Sequence, residues 1–301
     1  MTAKVILNPY SNRWNAQKRW PQAEAALKRA GIEFSLAISP APHKVVDLAE
    51  EAARQGFRPI IAAGGDGTIG EVVNGIARVA ASEQAELGPI GVLPLGTAND
   101  LAHNIGIPLD LDAAARVIAS GATRRLDVCR VNDLYFVNNS ALGMEPYVTL
   151  IQQRITWISG PVRYLVAAIR GVLDYPVWTA SIEWDSGSYE GPISLLTVGN
   201  GARTGGFYMT PHADPFDGKL TFVYGFGASR WRLLQLLPDA LKPGAGNYVE
   251  APEIHEETAT WIRVRLIEPS PAHADGEIFA LEAKEFVYSI QPARLKIFLP
   301  A

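Results

Sequence analysis

The sequence predicts an α/β first domain with a doubly wound parallel sheet, followed by a mostly antiparallel β-sandwich. Three observations carry this. Short apolar runs alternate with helical patterns over residues 4–81, the signature of β-α-β units. A glycine-rich loop separates a strand pattern from a helix pattern at residues 64–75. After about residue 126 the texture changes to short β-rich runs punctuated by Gly and Pro.

The elements follow in order. Residues 4–7 form the first apolar run, and a helical pattern lies within 16–30. Residues 33–38 precede a helix over 43–55, and 58–63 precede one over 69–81. In that third helix Ile69, Val72, Val73, Ile76 and Ala80 fall at i, i+3, i+4, i+7 and i+11, a core-facing stripe. A strand at 90–93 leads through Pro94-Leu95-Gly96-Thr97-Ala98-Asn99-Asp100 to a short helix ending near Gly106 and Pro108. Asp110 is placed to cap a helix over 111–119. Strand patterns then occupy 126–131, 135–139, 179–184, 193–198, 220–224, 260–267, 285–290 and 295–299, with helical patterns at 161–173 and 231–241. The boundary falls between residues 1–128 and residues 129–301. No internal repeat or low-complexity linker separates the halves, so they are expected to pack closely around a cleft, a common place for ligands.

Composition narrows the function. With 27 Lys plus Arg against 31 Asp plus Glu, the net charge of −4 carries no nucleic-acid footprint. The single cysteine, Cys129, lies in a strand pattern and reads as a buried structural thiol. The N-terminus has no signal-peptide core, and no stretch approaches the roughly 18 apolar residues of a membrane span. A cytoplasmic protein touching membranes only peripherally is expected.

Residues 64–75 read Gly-Gly-Asp-Gly-Thr-Ile-Gly-Glu-Val-Val-Asn-Gly. Glycines let backbone N–H groups approach an anion, and a helix N-terminus favours negative charge. Asp66 is discordant, because an acid beside a phosphate repels it unless a cation bridges the two or the acid does chemistry; the loop therefore points to metal-assisted phosphoryl transfer. Gly65, Gly67 and Gly70 also satisfy the dinucleotide fingerprint, but Glu86 precedes the next strand and so sits at the wrong end to hold a ribose. Two further polar clusters, Asn8-Pro9-Tyr10-Ser11-Asn12 and residues 96–100, follow strands one and four, where a doubly wound sheet collects ligands.

Gly64-Gly65-Asp66-Gly67-Thr68, Glu71-Val72-Val73-Asn74-Gly75 and residues 94–100 together resemble the diacylglycerol kinase catalytic domain of bacterial lipid kinases, sphingosine kinases and ceramide kinases. The resemblance continues through Leu126-Asp127-Val128, Gly205-Gly206-Phe207, Pro211, Asp217-Gly218-Lys219-Leu220 and Asp275-Gly276-Glu277, spanning essentially the whole chain. It implies an ATP- and Mg2+-dependent kinase with a phosphofructokinase-like first domain, phosphorylating a lipid hydroxyl in the cleft.

Carried over residue by residue, the resemblance assigns nucleotide binding to Asn8, Pro9, Ser11, Gly64, Gly65, Gly67, Thr68, Glu71, Gly96, Thr97 and Asn99. Asp66, Asp100 and Asp127 would hold the catalytic magnesium through water. Glu277 is the favoured base for the hydroxyl proton, with Asp66 as competitor, since a short acid close to the phosphates suits a metal better. Asp275-Gly276-Glu277 taken alone reads as a plain β-turn. Asp217-Gly218 has two readings of equal weight, a hairpin turn and a second, structural magnesium. Asn12 stands where relatives usually carry Gly, and His212 where an Asp is common. The five histidines have no metal-ligand spacing.

Residues 161–173 place Val162, Leu165, Val166, Ile169 and Val172 on one side, and residues 229–241 combine Arg230, Trp231 and Arg232 with leucines. Such stripes ordinarily face a core. The functional alternative is a surface dipping into lipid headgroups. The expected partners are thus a lipid substrate and a transient membrane contact, with no nucleic acid; a homodimer is left open. The alternative enzyme is an NAD kinase, which shares the Gly-Gly-Asp-Gly-Thr loop, and a further alternative is a silent nucleotide- or lipid-binding protein.

Overall fold

The computed structural model describes residues 2–155, 157–158, 161–174, 176–227 and 229–300, and of Pro161 and Tyr164 only the backbone. The chain divides into two compact units: residues 1–128, 135–137 and 291–301 make the first, residues 129–134 and 138–290 the second.

The first unit runs β1 (Ala3–Leu7), α1 (Asn15–Arg29), β2 (Phe34–Ile38), α2 (Val45–Arg54), β3 (Ile60–Gly64), α3 (Asp66–Ala77), β4 (Leu87–Pro94), α4 (Asp100–Asn104), α5 (Leu111–Ser120), β5 (Thr123–Val131) and β6 (Leu134–Phe136), of which residues 129–131 and 134 count to the second unit. Its strands pair in parallel in the order β2-β1-β3-β4, with Lys4 opposite both Ser35 and Ile60, and Ile60 opposite Ile90. β3 is buried at all five residues, as a strand covered on both faces requires. The stripe on α3 does face the core: Ile69, Val72, Val73 and Ile76 are buried, while Ala80 lies beyond the helix end. Asp110 Oδ1 accepts the Ala113 N–H at 2.9 Å, capping α5 as expected.

One difference from the sequence reading is the C-terminus. Residues 291–301 belong to the first unit, because Leu295 and Ile297 pair in parallel with Leu87 and Ile90 of β4. A parallel partner far along the chain leaves no local sequence mark, so the run at 295–299 reads as one more strand of the second half.

The second unit contains β7 (Asn139–Gly143), α6 (Met144–Arg154), α7 (Pro161–Asp174), β8 (Trp178–Trp184), β9 (Gly187–Ile193), β10 (Leu195–Gly199), β11 (Leu220–Gly225), α8 (Arg230–Leu236), β12 (Ile254–Ala259), β13 (Trp261–Ala274) and β14 (Glu277–Phe298), whose last residues return to the first unit. One antiparallel layer is β12-β11-β10-β7-β13. β13 also carries the second layer, since residues 262–266 pair with β8, and only after irregularities between Arg265 and His273 do residues 272–274 pair with β7. The layers meet through aromatics: Trp184 of β8 packs edge-on against Phe222 of β11 at 5.3 Å, and Tyr189 of β9 contacts Tyr224 at 4.9 Å. The result is the β-sandwich-like unit expected.

Four elements were not legible. β7 shares only Asn139 with the strand expected at 135–139. α6 begins Met144-Glu145-Pro146 and is rich in β-branched residues, yet Pro146 sits in the first turn, where no intrahelical donor is lost. β9 carries Gly187, Gly191 and Pro192, which read as turn, and is tolerated because it pairs only with β8 at an edge. β12 is mostly polar and also lies at an edge.

Candidate active site

The first unit brings the three polar clusters together by direct hydrogen bonds. Asn8, just past β1, donates from Nδ2 to Thr68 Oγ1 at 3.1 Å, and Ser11 Oγ lies 3.0 Å from the same hydroxyl. Thr97 Oγ1 donates to Asn12 Oδ1 at 3.0 Å. Gly65 is the N-cap of α3, and a Cβ on Gly96 would lie 2.4 Å from the Gly65 Cα, so the two loops touch backbone to backbone. Asn99 adopts φ +49° and folds its side chain onto Gly96, accepting the Gly96 N–H at 2.9 Å and donating to its carbonyl at 3.2 Å. Pro9, Gly64 and Gly67 complete this surface at the end of β1, the end of β3 and the first turn of α3.

Asp66 does what a carboxylate at a helix start does best. Its Oδ2 accepts the Asp100 N–H at 3.1 Å and its Oδ1 the Leu101 N–H at 2.8 Å, so it caps α4 from the neighbouring loop. Asp100 and Asp127 are 3% and 2% exposed, and Asp127 Oδ1 accepts the Ala293 N–H at 2.6 Å. Among the described residues no three Asp, Glu, His or Cys side chains converge tightly enough to hold a metal ion directly. The carboxylate oxygens of Asp66 and Asp127 are engaged by backbone N–H groups, and carboxylate oxygen is the hard donor type that magnesium takes, ordinarily with several of its own waters kept.

The segment Glu71-Val72-Val73-Asn74-Gly75 ties α3 to its neighbours. Glu71 Oε2 accepts the Val45 and Val46 N–H groups at 2.9 and 3.3 Å, capping α2. Asn74 brackets Tyr135, donating to its carbonyl at 2.8 Å and accepting its N–H at 3.0 Å. A Cβ on Gly75 would meet the Val46 carbonyl oxygen at 2.4 Å, so α2 and α3 need glycine at their crossing.

In the second unit Glu277 is the exposed first residue of β14. The Asp275-Gly276 turn before it has φ +48° and +82°, the geometry of a tight hairpin. Asp275 is nevertheless buried and its Oδ1 accepts the Asn138 and Asn139 N–H groups at 2.8 and 3.2 Å, which sets the turn against the start of β7. Asp217 Oδ1 accepts the Lys219 N–H at 2.8 Å, a local turn leading into β11 and not a two-residue hairpin between strands. His212 pairs with Glu256 at 2.6 Å.

Sequence reasoning missed a buried polar cluster. Glu145 accepts hydrogen bonds from Thr197 Oγ1 at 2.8 Å and Asn139 Nδ2 at 3.0 Å, and its Oε1 lies 3.0 Å from His273 Nε2. Burial alone would raise the Glu145 carboxyl, but the His273 ring, Thr197 and Asn139 together hold it below the ordinary glutamate range. His273 is 1% exposed, and its Nδ1 has no hydrogen-bond partner among the described residues. The only sequence signal was Glu145 following the apolar run before it, too common to single out.

Glu145 borders an apolar cavity of about 90 Å³. Met144, Val148, Val172, Phe207, Leu236 and Ile254 are among its walls, and Glu145 and Tyr248 are its only ionisable liners among the described residues. Tyr248 donates to the Met209 carbonyl at 2.6 Å, and burial raises its hydroxyl pKa well above the usual value. α7 forms part of the wall with Ala168 and Val172, while its other face leaves Val162, Leu165, Ile169 and Leu173 exposed. The expected single core-facing stripe is therefore split: only Val172 of the five is buried, and Val166 is half-buried. Trp157 and Trp231 are 78% and 67% exposed.

Residues 2–131 match the diacylglycerol kinase catalytic domain, and residues 139–299 match the YegS C-terminal NAD kinase beta sandwich-like domain. A diacylglycerol kinase of Staphylococcus saprophyticus is 30% identical over 280 residues, covering 91% of this chain and 88% of the relative. One from Bacillus subtilis is 30% identical over 288 residues, covering 95% and 92%. A solved diacylglycerol kinase structure from Bacillus anthracis superposes with a TM-score of 0.78 at 21% identity, over 99% of this chain and 97% of that one.

Proposed function

The chain belongs to the diacylglycerol kinase catalytic domain family of lipid kinases, and from that premise we propose that it transfers the γ-phosphate of ATP to the hydroxyl of a diacylglycerol-like lipid with magnesium as cofactor. The observation that carries the acceptor class is the preformed cavity with apolar walls in the second unit. Apolar walls match the chemistry of an acyl chain and not that of the sugars and phosphates of NAD, which disfavours the NAD kinase reading.

The nucleotide phosphates would lie against the start of α3, met by the backbone of Gly64, Gly65 and Gly67 and by Thr68. Asn8, Pro9, Ser11, Gly96, Thr97 and Asn99 would shape the same surface, and Glu71 would act through the helix it caps. When bound, magnesium would neutralise charge building on the transferred phosphoryl group. Asp66, Asp100 and Asp127 would hold it through water, and Asp217 a second, structural ion. Glu277 would take the acceptor hydroxyl proton.

The split stripe of α7 supports a peripheral membrane contact. Val162, Leu165, Ile169, Trp157 and Trp231 offer apolar and interfacial surface, and Arg154, Arg170 and Arg230 are exposed on the same segments. Among the described residues no helix is long and apolar enough to cross a membrane. Radiolabelled ATP incubated with the protein, a lipid panel and NAD tests the whole reading. Label is expected in a lipid; label in NADP or in nothing would overturn it.

A further inference from the structure

The most strained backbone of the first unit lies directly after β1. Asn12, Arg13 and Trp14 take φ of +52°, +51° and +69°, three successive non-glycine residues in the left-handed region. Each such residue costs on the order of 1 kcal/mol or more, and only Asn has a side chain suited to it. Trp14, the last of the three and the residue before α1, is 53% exposed. A lone exposed apolar residue is ordinary. An exposed indole at the end of three unfavourable residues calls for a reason.

Its neighbours supply one. The Tyr10 ring meets Trp14 edge-on, centroids 4.5 Å apart, and Tyr10 is itself fixed by a 2.7 Å bond from its hydroxyl to the Pro40 carbonyl and a 3.1 Å bond from its N–H to Asn8 Oδ1. The same short loop is tied to both glycine loops, through Ser11 to Thr68 and through Asn12 to Thr97. An aromatic platform braced from its edge thus stands beside the surface that would receive a triphosphate.

We propose that Trp14, backed by Tyr10, stacks on the base of the nucleotide, an inference that rests on the kinase reading. Stacking reads the area of a π-face and no hydrogen-bond pattern, so purines are preferred over pyrimidines with little discrimination between adenine and guanine.

Calorimetric titration of the full chain with magnesium ATP and with magnesium tripolyphosphate tests it, because tripolyphosphate has no base. Trp14→Ala is expected to lose about tenfold or more of its ATP affinity, as alanine substitution at base-stacking aromatics does, while tripolyphosphate affinity stays within about twofold. Trp14→Phe keeps a ring, should retain most of the ATP affinity, and serves if the alanine variant does not fold. Equal weakening of both ligands would mean that the indole merely holds the loop, and unchanged ATP affinity would mean that it does nothing; either overturns the proposal while leaving wild-type ATP binding and lipid phosphorylation intact. A wild type that binds neither ligand would overturn the kinase reading along with it.

Discussion

Gly65 and Gly96 meet so closely that a Cβ on Gly96 would stand 2.4 Å from the Gly65 Cα, whereas one on Gly65 would stand 3.1 Å from the Gly96 Cα. The contact is asymmetric, and the asymmetry is testable. Gly96→Ala must push the two loops apart, at a cost of about 1–3 kcal/mol, and should weaken magnesium ATP binding because it moves the start of α3. Gly65→Ala should lose less of both. Urea unfolding and ATP titration of the two variants check the order, and equal losses would contradict it.

Glu71 and Asn74 sit inside a phosphate-loop signature but spend their visible hydrogen bonds on α2 and Tyr135. Glu71→Ala removes a helix cap and should cost about 1 kcal/mol of stability with turnover nearly unchanged. Asn74→Ala should cost more, since the partly buried N–H and carbonyl of Tyr135 each lose a partner. Unfolding midpoints set beside kcat separate this scaffold role from a direct role on the nucleotide, which would move kcat or the ATP KM first.

The competing roles of Asp66 and Glu277 separate in kinetics. Glu277→Gln should lower kcat by about 10²–10⁴-fold with ATP affinity intact, the effect of losing a proton acceptor. Asp66→Asn keeps an oxygen for one of the two α4 N–H groups, loses the acceptor of the other, and should instead raise the magnesium concentration needed for half-maximal rate. Near-normal kcat in the Glu277 variant would sink the assignment of the base to that residue.

Trp231 and Arg230 are both exposed at the start of α8. Each basic residue near an anionic surface is worth about 1 kcal/mol, so the pair of substitutions Trp231→Ala and Arg230→Ala should weaken binding to phosphatidylglycerol-containing vesicles by about tenfold, and salt should weaken the wild type similarly. Vesicle flotation measures both; indifference to the substitutions would count against this face.

The α/β half of the fold was readable because its signals are local: a buried strand such as β3 is a continuous apolar run, and Asp110 announces α5 three residues before its bond to Ala113. The candidate site was legible as far as residue type brings its loops together, at Gly65, Asp66, Gly96 and Asn99. What could not be read depends on distant pairing. Leu295 returning to Leu87 and Glu145 meeting His273 are separated by more than a hundred residues, and no spacing rule joins them. Nor does a hydrophobic stripe say which side of α7 is wet: Val172 and Ile169 look alike in sequence, yet one lines a cavity and the other faces out.

The buried pair of Glu145 and His273 makes a pH prediction whose sign can be worked out. The folded Glu145 carboxyl is held below its ordinary value, so as pH falls the unfolded chain takes up this proton first. The stabilisation is therefore fully present above the ordinary glutamate pKa of about 4.3 and is lost as pH falls through the lowered folded value. Glu145→Gln cannot make that loss, but it replaces a charged acceptor of the Thr197, Asn139 and His273 hydrogen bonds by a neutral amide and should cost about 1–3 kcal/mol near neutrality. Urea unfolding of both proteins at about pH 5 and about pH 3.5 should show the gap between them narrowing on acidification. A gap that stays constant would mean that the carboxyl is not held in its charged form, and that the pair acts as an ordinary hydrogen bond beside the apolar cavity.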